Sequence, residues 1–138
     1  MSVVVDASVA LDWVLELERS DYGASVLAHV CTAGGRVPAI WPAEIANGLL
    51  TAMRRKHLKA ADLPKALALL ESVPLESPAV APHSGVRRWL AAGEATGLSA
   101  HDAAYLELAQ RESLPLATHD GALRKAAEKA GVELFVAP

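Results

Sequence analysis

The sequence predicts an α/β domain in which helices cover both faces of a parallel sheet, and three observations carry that prediction. Short β-branched runs alternate with longer stretches of helical periodicity along all 138 residues, and such alternation produces parallel strands joined by helical crossovers. The first run, Val3-Val4-Val5, has no polar interruption, as in a strand buried on both faces. The hydrophobic fraction is 52% but the aromatic fraction only 4%, so the core is built from Ala, Leu and Val, as expected where helices lie close on a sheet. At this length the chain is expected to form one domain, residues 1–138.

Taken in order, the opening strand ends on Asp6, and Ser8 stands where it can cap the helix that follows. Ala10, Leu11, Val14 and Leu15 recur at helical spacing, with Asp12 and Glu16 assigned to the polar side. A second helix starts near Asp21, with Val26, Leu27, Val30 and Cys31 as its apolar stripe, and Gly34-Gly35 ends it. Val37 to Trp41 reads as a short strand, and Pro42 as the first residue of a helix reaching about His57. Asp62-Leu63-Pro64 opens a fourth helix whose Leu63, Leu67 and Leu70 are spaced for burial. Val73 to Glu76 is a weak strand signal, and Ser77 to Gly85 a Pro-containing loop. A helix over Val86 to Ala95 turns Trp89 and Leu90 inward and closes at Gly97, and Ser99 caps the next, Ala100 to Arg111. Leu114 to Thr118 is a strand, Gly121 to Ala130 a helix, and Val132 to Val136 a last strand.

No window approaches the 18 or so apolar residues of a membrane helix, and the N-terminus lacks a basic region followed by an apolar core. The expected location is cytoplasmic, with no membrane partner. Cys31 is the single cysteine, so an internal disulfide and a cysteine-built zinc site are excluded, and it is expected to be a small buried side chain. The net charge of −3 argues against a surface that coats nucleic acid indiscriminately.

Four carboxylates fall at strand ends or in the first turn of the following helix: Asp6, Glu44, Asp102 and Asp120. Each has a structural explanation by itself. Asp6 can cap a helix, Glu44 can favour a helix dipole, Asp102 follows Ser99 at capping-box spacing, and Asp120 precedes Gly121 as an N-cap. As a set they are harder to explain so, because ligands of open α/β sheets sit at the carboxyl ends of the strands. Carboxylates gathered there repel, which raises their pKa values or demands a cation. Oxygen-only ligands select Mg²⁺, with Mn²⁺ as substitute. Such an ion polarises a phosphoryl oxygen and activates water, which is the chemistry of phosphodiester hydrolysis. The sequence holds no glycine-rich phosphate loop or dinucleotide fingerprint to compete with this.

Val4-Val5-Asp6-Ala7-Ser8, Pro42-Ala43-Glu44-Ile45-Ala46-Asn47, Leu98-Ser99-Ala100-His101-Asp102-Ala103-Ala104-Tyr105 and Leu116-Ala117-Thr118-His119-Asp120 together resemble the PIN-domain ribonucleases, in particular the VapC-like toxins of toxin/antitoxin pairs. The resemblance implies a three-layer α/β/α domain with about five parallel strands. It also implies an Mg²⁺- or Mn²⁺-dependent endoribonuclease, a homodimer, and a cognate antitoxin that neutralises it. Carried over, Asp6, Glu44, Asp102 and Asp120 match the catalytic and metal-binding quartet, with Ser8 and Thr118 as hydroxyls supporting it. His101 and His119 depart from the common pattern. Consecutive side chains diverge along a helix or strand, so neither histidine is expected to share its neighbouring aspartate's direction.

On the helix after Pro42, Glu44, Asn47 or Gly48, Thr51 and Arg55 fall on one face. Asn47, Arg54 and Arg55 are therefore candidates for holding RNA phosphates, against the alternative of a solvated basic helix end. Arg87, Arg88, Arg124 and Lys125 are further phosphate candidates without positional support, and Trp13, Trp41 and Trp89 can serve either an interface or the core. Two other functions stay open: a non-catalytic RNA- or protein-binding module on this fold, and an Mg²⁺-dependent aspartyl phosphotransferase or phosphatase.

Overall fold

The computed structural model describes residues 1–138, and its centre is the strand formed by the valine run. All three residues of β1 (Val3–Val5) are fully buried. β1 pairs in parallel with β2 (Gly35–Arg36) on one side and β4 (Leu116–Ala117) on the other. β3 (Leu75–Glu76) adds outside β2, giving the order β3-β2-β1-β4. Seven helices flank this sheet: α1 (Ala7–Val14), α2 (Asp21–Ala33), α3 (Trp41–Arg54), α4 (Leu63–Ser72), α5 (Pro82–Thr96), α6 (Ala100–Glu112) and α7 (Gly121–Lys129). α6 lies against β1 and β4, and its alanines Ala103, Ala104 and Ala109 are buried, so helix and sheet approach closely. α1 packs on α2 and α3, bringing the Glu44 turn beside the end of β1. No helix is long and apolar enough to cross a membrane.

The register positions the site. Val4 pairs with Leu116 and Val5 with Ala117, so the next residues on each strand, Asp6 and the Thr118 region, emerge together at the carboxyl edge. The Asp6 amide extends the pairing by donating to the Ala117 carbonyl at 2.9 Å.

Several elements differ from the sequence expectation. The second strand lies at Gly35–Arg36 and not Val37 to Trp41. The side chain of Leu75 packs so near Gly35 that a Cβ there would come within 2.7 Å of it, while Trp41 already belongs to α3. The last strand shrinks to one parallel bridge, Leu116 to Leu134, so the sheet has four strands. α5 starts at Pro82, whose missing N–H costs nothing in a first turn. On that helix Trp89 is half-buried, but Leu90 is exposed rather than turned inward. In α4 the buried residue is Ala66, while Leu67 is exposed. Cys31 is exposed and not buried, because it lies on the outward side of α2 beyond Val26 and Val30. Asp12, assigned to a polar face, is buried.

Candidate active site: an acid-lined cleft at the strand ends

Asp6 leaves β1 into the sheet's carboxyl edge and is 6% exposed. Its Oδ2 accepts two hydroxyl hydrogen bonds, from Ser8 Oγ at 2.8 Å and Thr118 Oγ1 at 2.6 Å. Ser8 thus does not cap α1; its hydroxyl instead links Asp6 to the His119 backbone amide, which donates to it at 3.2 Å. Thr118 is likewise shared, since its Oγ1 accepts from the Asp120 amide at 3.0 Å. Burial raises the Asp6 pKa above the ordinary value of 3.8, and the two hydroxyls only partly offset this while the charge of Asp102 adds to it.

Glu44, in the first turn of α3, accepts a 2.6 Å hydrogen bond from the Tyr105 hydroxyl. Burial raises its pKa too, opposed by that bond and reinforced by the charges of Asp6 and Asp102. Tyr105 is fully buried in α6, and burial together with Glu44 holds its phenol proton firmly in place. Asp102 follows the N-cap of α6, where Ser99 Oγ accepts from the Asp102 amide at 3.2 Å. Asp120 caps α7, its Oδ1 accepting from the Leu123 amide at 3.0 Å. Asp6, Glu44, Asp102 and Asp120 line one cleft of about 690 Å³, together with Asn47, His101 and His119. No three acidic or histidine side chains draw together around one point at ligating distance. Their chemistry nonetheless fits a hard divalent cation: the acidic donors are oxygen-only, they face one cleft, and two of them are already harder to ionise, through burial and mutual repulsion.

Both histidines line the cleft, and His119 turns to Asp12 while its neighbour Asp120 turns to the Leu123 amide. His119 is directed by a residue that the sequence pattern concealed. Its Nε2 lies 2.8 Å from Oδ2 of buried Asp12, and its ring meets Tyr22 edge-on at 5.5 Å between centroids. Asp12 also accepts from the Ser20 amide at 3.1 Å and from the Ser20 hydroxyl. Only the burial of Gly23 directly over this carboxylate, where a Cβ would come within 2.1 Å of Oδ1, makes room for it. Of the phosphate candidates, Asn47 reaches the acid cleft, Arg55 lines a neighbouring cavity, and Arg54 is exposed outside both. Arg124 is engaged elsewhere, donating to the Thr118 carbonyl at 2.9 Å, and Arg88 pairs with Glu107 at 3.6 Å. Trp13 is a core residue donating to the Gly23 carbonyl at 2.9 Å, whereas Trp41 lines an apolar groove between α3 and α4.

Fold and cleft define a class: a parallel α/β domain with an acid-lined site at the carboxyl edge of its sheet. The chain belongs to the PIN domain family, whose pattern it matches over residues 3–129 and whose members are in general nucleases. Its fold is similar to that of PAE2754 from Pyrobaculum aerophilum, with a TM-score of 0.69 at 19% identity over 91% of this chain and 84% of that one. It is also similar to FitAcB from Neisseria gonorrhoeae, with a TM-score of 0.58 at 17% identity over 97% of this chain and 96% of that one. A search of curated proteins found no match.

Proposed function

We propose that residues 1–138 form a single PIN-like domain that acts in the cytoplasm as a metal-dependent endoribonuclease toxin, neutralised by a cognate antitoxin and working as a homodimer. The observation that carries the catalytic part is the convergence of Asp6, Glu44, Asp102 and Asp120 on one cleft, with Asp6 and Glu44 held above their ordinary pKa values by burial and by their neighbours' charge. These four residues would hold the ion. Bound Mg²⁺ or Mn²⁺ would supply polarisation of a phosphoryl oxygen and activation of water.

The chain's own groups do the rest. Ser8 and Thr118 fix the Asp6 carboxylate in one orientation, and Tyr105 fixes Glu44. Asp120 spends Oδ1 on capping α7, which anchors it at the cleft wall. Asn47, which lines the cleft, would donate to a phosphate beside the scissile bond, and such contacts position a nucleic acid without reading its bases. The toxin and antitoxin assignment rests on the resemblance of the four motifs to VapC-like proteins. A protein partner is further supported by the groove of about 580 Å³ between α3 and α4, where Leu50 and Leu67 stand 46% and 40% exposed.

The test is a sequencing map of new 5′-phosphate RNA ends in bacterial cells soon after the chain is induced, beside an Asp6→Asn control. Sharp ends absent from the control are expected. Identical maps from two folded proteins would overturn the ribonuclease assignment and favour the non-catalytic binding module.

A further inference from the structure

A second cavity, of about 570 Å³, opens directly beside the acid cleft and shares Ser8, Leu11, Gly48 and His119 with it as a common wall. The volume is that of a site for a small organic group. Its two sides differ chemically. Leu11, Leu15 and Leu17 form an apolar side, with Leu17 69% exposed at the rim in the short turn after α1. Thr51, Arg55 and His57 form the opposite side, and Glu18 is the one carboxylate present.

The polar side is built by an unusual helix end. α3 closes with Lys56 in the left-handed conformation, φ 59°, where glycine is the ordinary occupant. The Lys56 amide donates to the Met53 carbonyl at 3.0 Å and the His57 amide to the Ala52 carbonyl at 2.8 Å, so the chain reverses sharply. That reversal sets His57 beside Arg55 on the cavity wall. At the wall shared with the acid cleft, His119 is held by buried Asp12, and Gly48 lies so close to Leu11 that a Cβ there would meet its side chain at 2.5 Å.

We propose that this cavity is the subsite for the nucleotide of single-stranded RNA next to the scissile phosphate, its base against the leucines and its phosphate on Arg55, Thr51 and His57. An apolar wall facing a polar one that carries an arginine matches the two halves of an unpaired nucleotide, and such bases are recognised when splayed out of a helix. The direction of the strand follows: RNA leaves the acid cleft past His119 and runs along α3 toward its C-terminal end. The inference rests on the acid cleft being where RNA is cut, and it adds a defined neighbouring site.

The test is the salt dependence of binding of a short fluorescein-labelled single-stranded oligoribonucleotide, read by anisotropy with calcium in place of magnesium. Arg55→Ala is expected to weaken binding several-fold and to lower the slope of log Kd against log salt by about 0.7, the share of one phosphate on a single strand. Leu17→Ser is expected to weaken binding with the slope unchanged, because it removes apolar contact and no charge. Lys129→Ala, at the exposed end of α7 outside both cavities, should change neither. An unchanged slope in Arg55→Ala, or wild-type protein that does not bind, overturns the subsite. Cleavage of the same RNA with Mn²⁺ is scored separately: cleavage with an unchanged slope removes only the subsite, whereas the expected slopes without cleavage remove only the nuclease assignment.

Discussion

Replacing Thr118 by valine keeps the shape of a fully buried side chain and removes one hydroxyl, yet that hydroxyl serves two groups. It donates to Asp6 at 2.6 Å and accepts from the Asp120 amide at 3.0 Å. A hydrogen bond to a charged group contributes about 1.5–3 kcal/mol, and an orphaned partly buried amide costs about 1 kcal/mol more. Thr118→Val should therefore lose about 3 kcal/mol, a large part of the roughly 5–15 kcal/mol typical of a domain. At roughly 3–4 °C per kcal/mol for this size, the midpoint falls by about 10 °C. Thermal and urea unfolding without divalent ions are the assays, with Thr118→Ser as the variant that keeps the hydroxyl. The sign of the pH dependence is fixed as well. The Thr118 donor favours the ionised form of Asp6, whose pKa is already raised above 3.8, so its loss raises that pKa further. The deficit is complete above the folded pKa and shrinks as pH falls through it and Asp6 takes up its proton. A loss below about 0.5 kcal/mol, or an equal loss in acid, would refute the assigned role of this hydroxyl.

Other outcomes follow from the same geometry. Gly23→Ala would drive a Cβ into the Asp12 carboxylate, which three donors hold in place, and should destabilise the chain by about 2–3 kcal/mol in urea titrations. Without metal, burying the Asp6 charge costs stability as pH rises from its ordinary value through its raised one. Asp6→Asn should thus be the more stable protein at neutral pH in chelator, and Mn²⁺ should raise the melting temperature of wild type only, by the equivalent of about 2.7 kcal/mol at a hundredfold excess over Kd. Tyr105→Phe removes the bond that holds the Glu44 pKa down, so the midpoint of Mn²⁺ binding against pH, followed by calorimetry, should move upward. Lys56→Gly relieves a left-handed backbone that lysine adopts at a cost, and should stabilise the chain by about 0.5–1 kcal/mol.

The elements that position the site were legible in the sequence because their signals are local. Three valines before an aspartate mark a buried strand end, Pro42 marks a helix start, and Ser99 and Asp120 mark caps that the structure shows making their hydrogen bonds. The gathering of the four acids followed from topology rather than from any one motif. What stayed hidden depends on tertiary contact. Helical periodicity put Asp12 on the polar side because nothing near it announces a partner, and its partners Ser20 and His119 lie 8 and 107 residues away. The role of Tyr105 likewise needs α6 laid beside the first turn of α3. The available signal was a tyrosine set within the apolar run Ala103 to Leu106 of α6, where a buried hydroxyl needs a polar partner. The second strand was misplaced because a glycine and an arginine carry little strand propensity, and close packing against Leu75 decided the matter.

The most direct test of the acid cleft is a cleavage assay on purified protein with single-stranded RNA, in chelator, then with Mn²⁺ restored, set beside Asp102→Asn. Asp102 is the substitution of choice because it lines the cleft while its side chain makes no hydrogen bond within the fold. No cleavage is expected in chelator, endonucleolytic products when Mn²⁺ returns, and none from folded Asp102→Asn under either condition. Cleavage in chelator, or equal cleavage by the variant, would contradict the role assigned to the cleft.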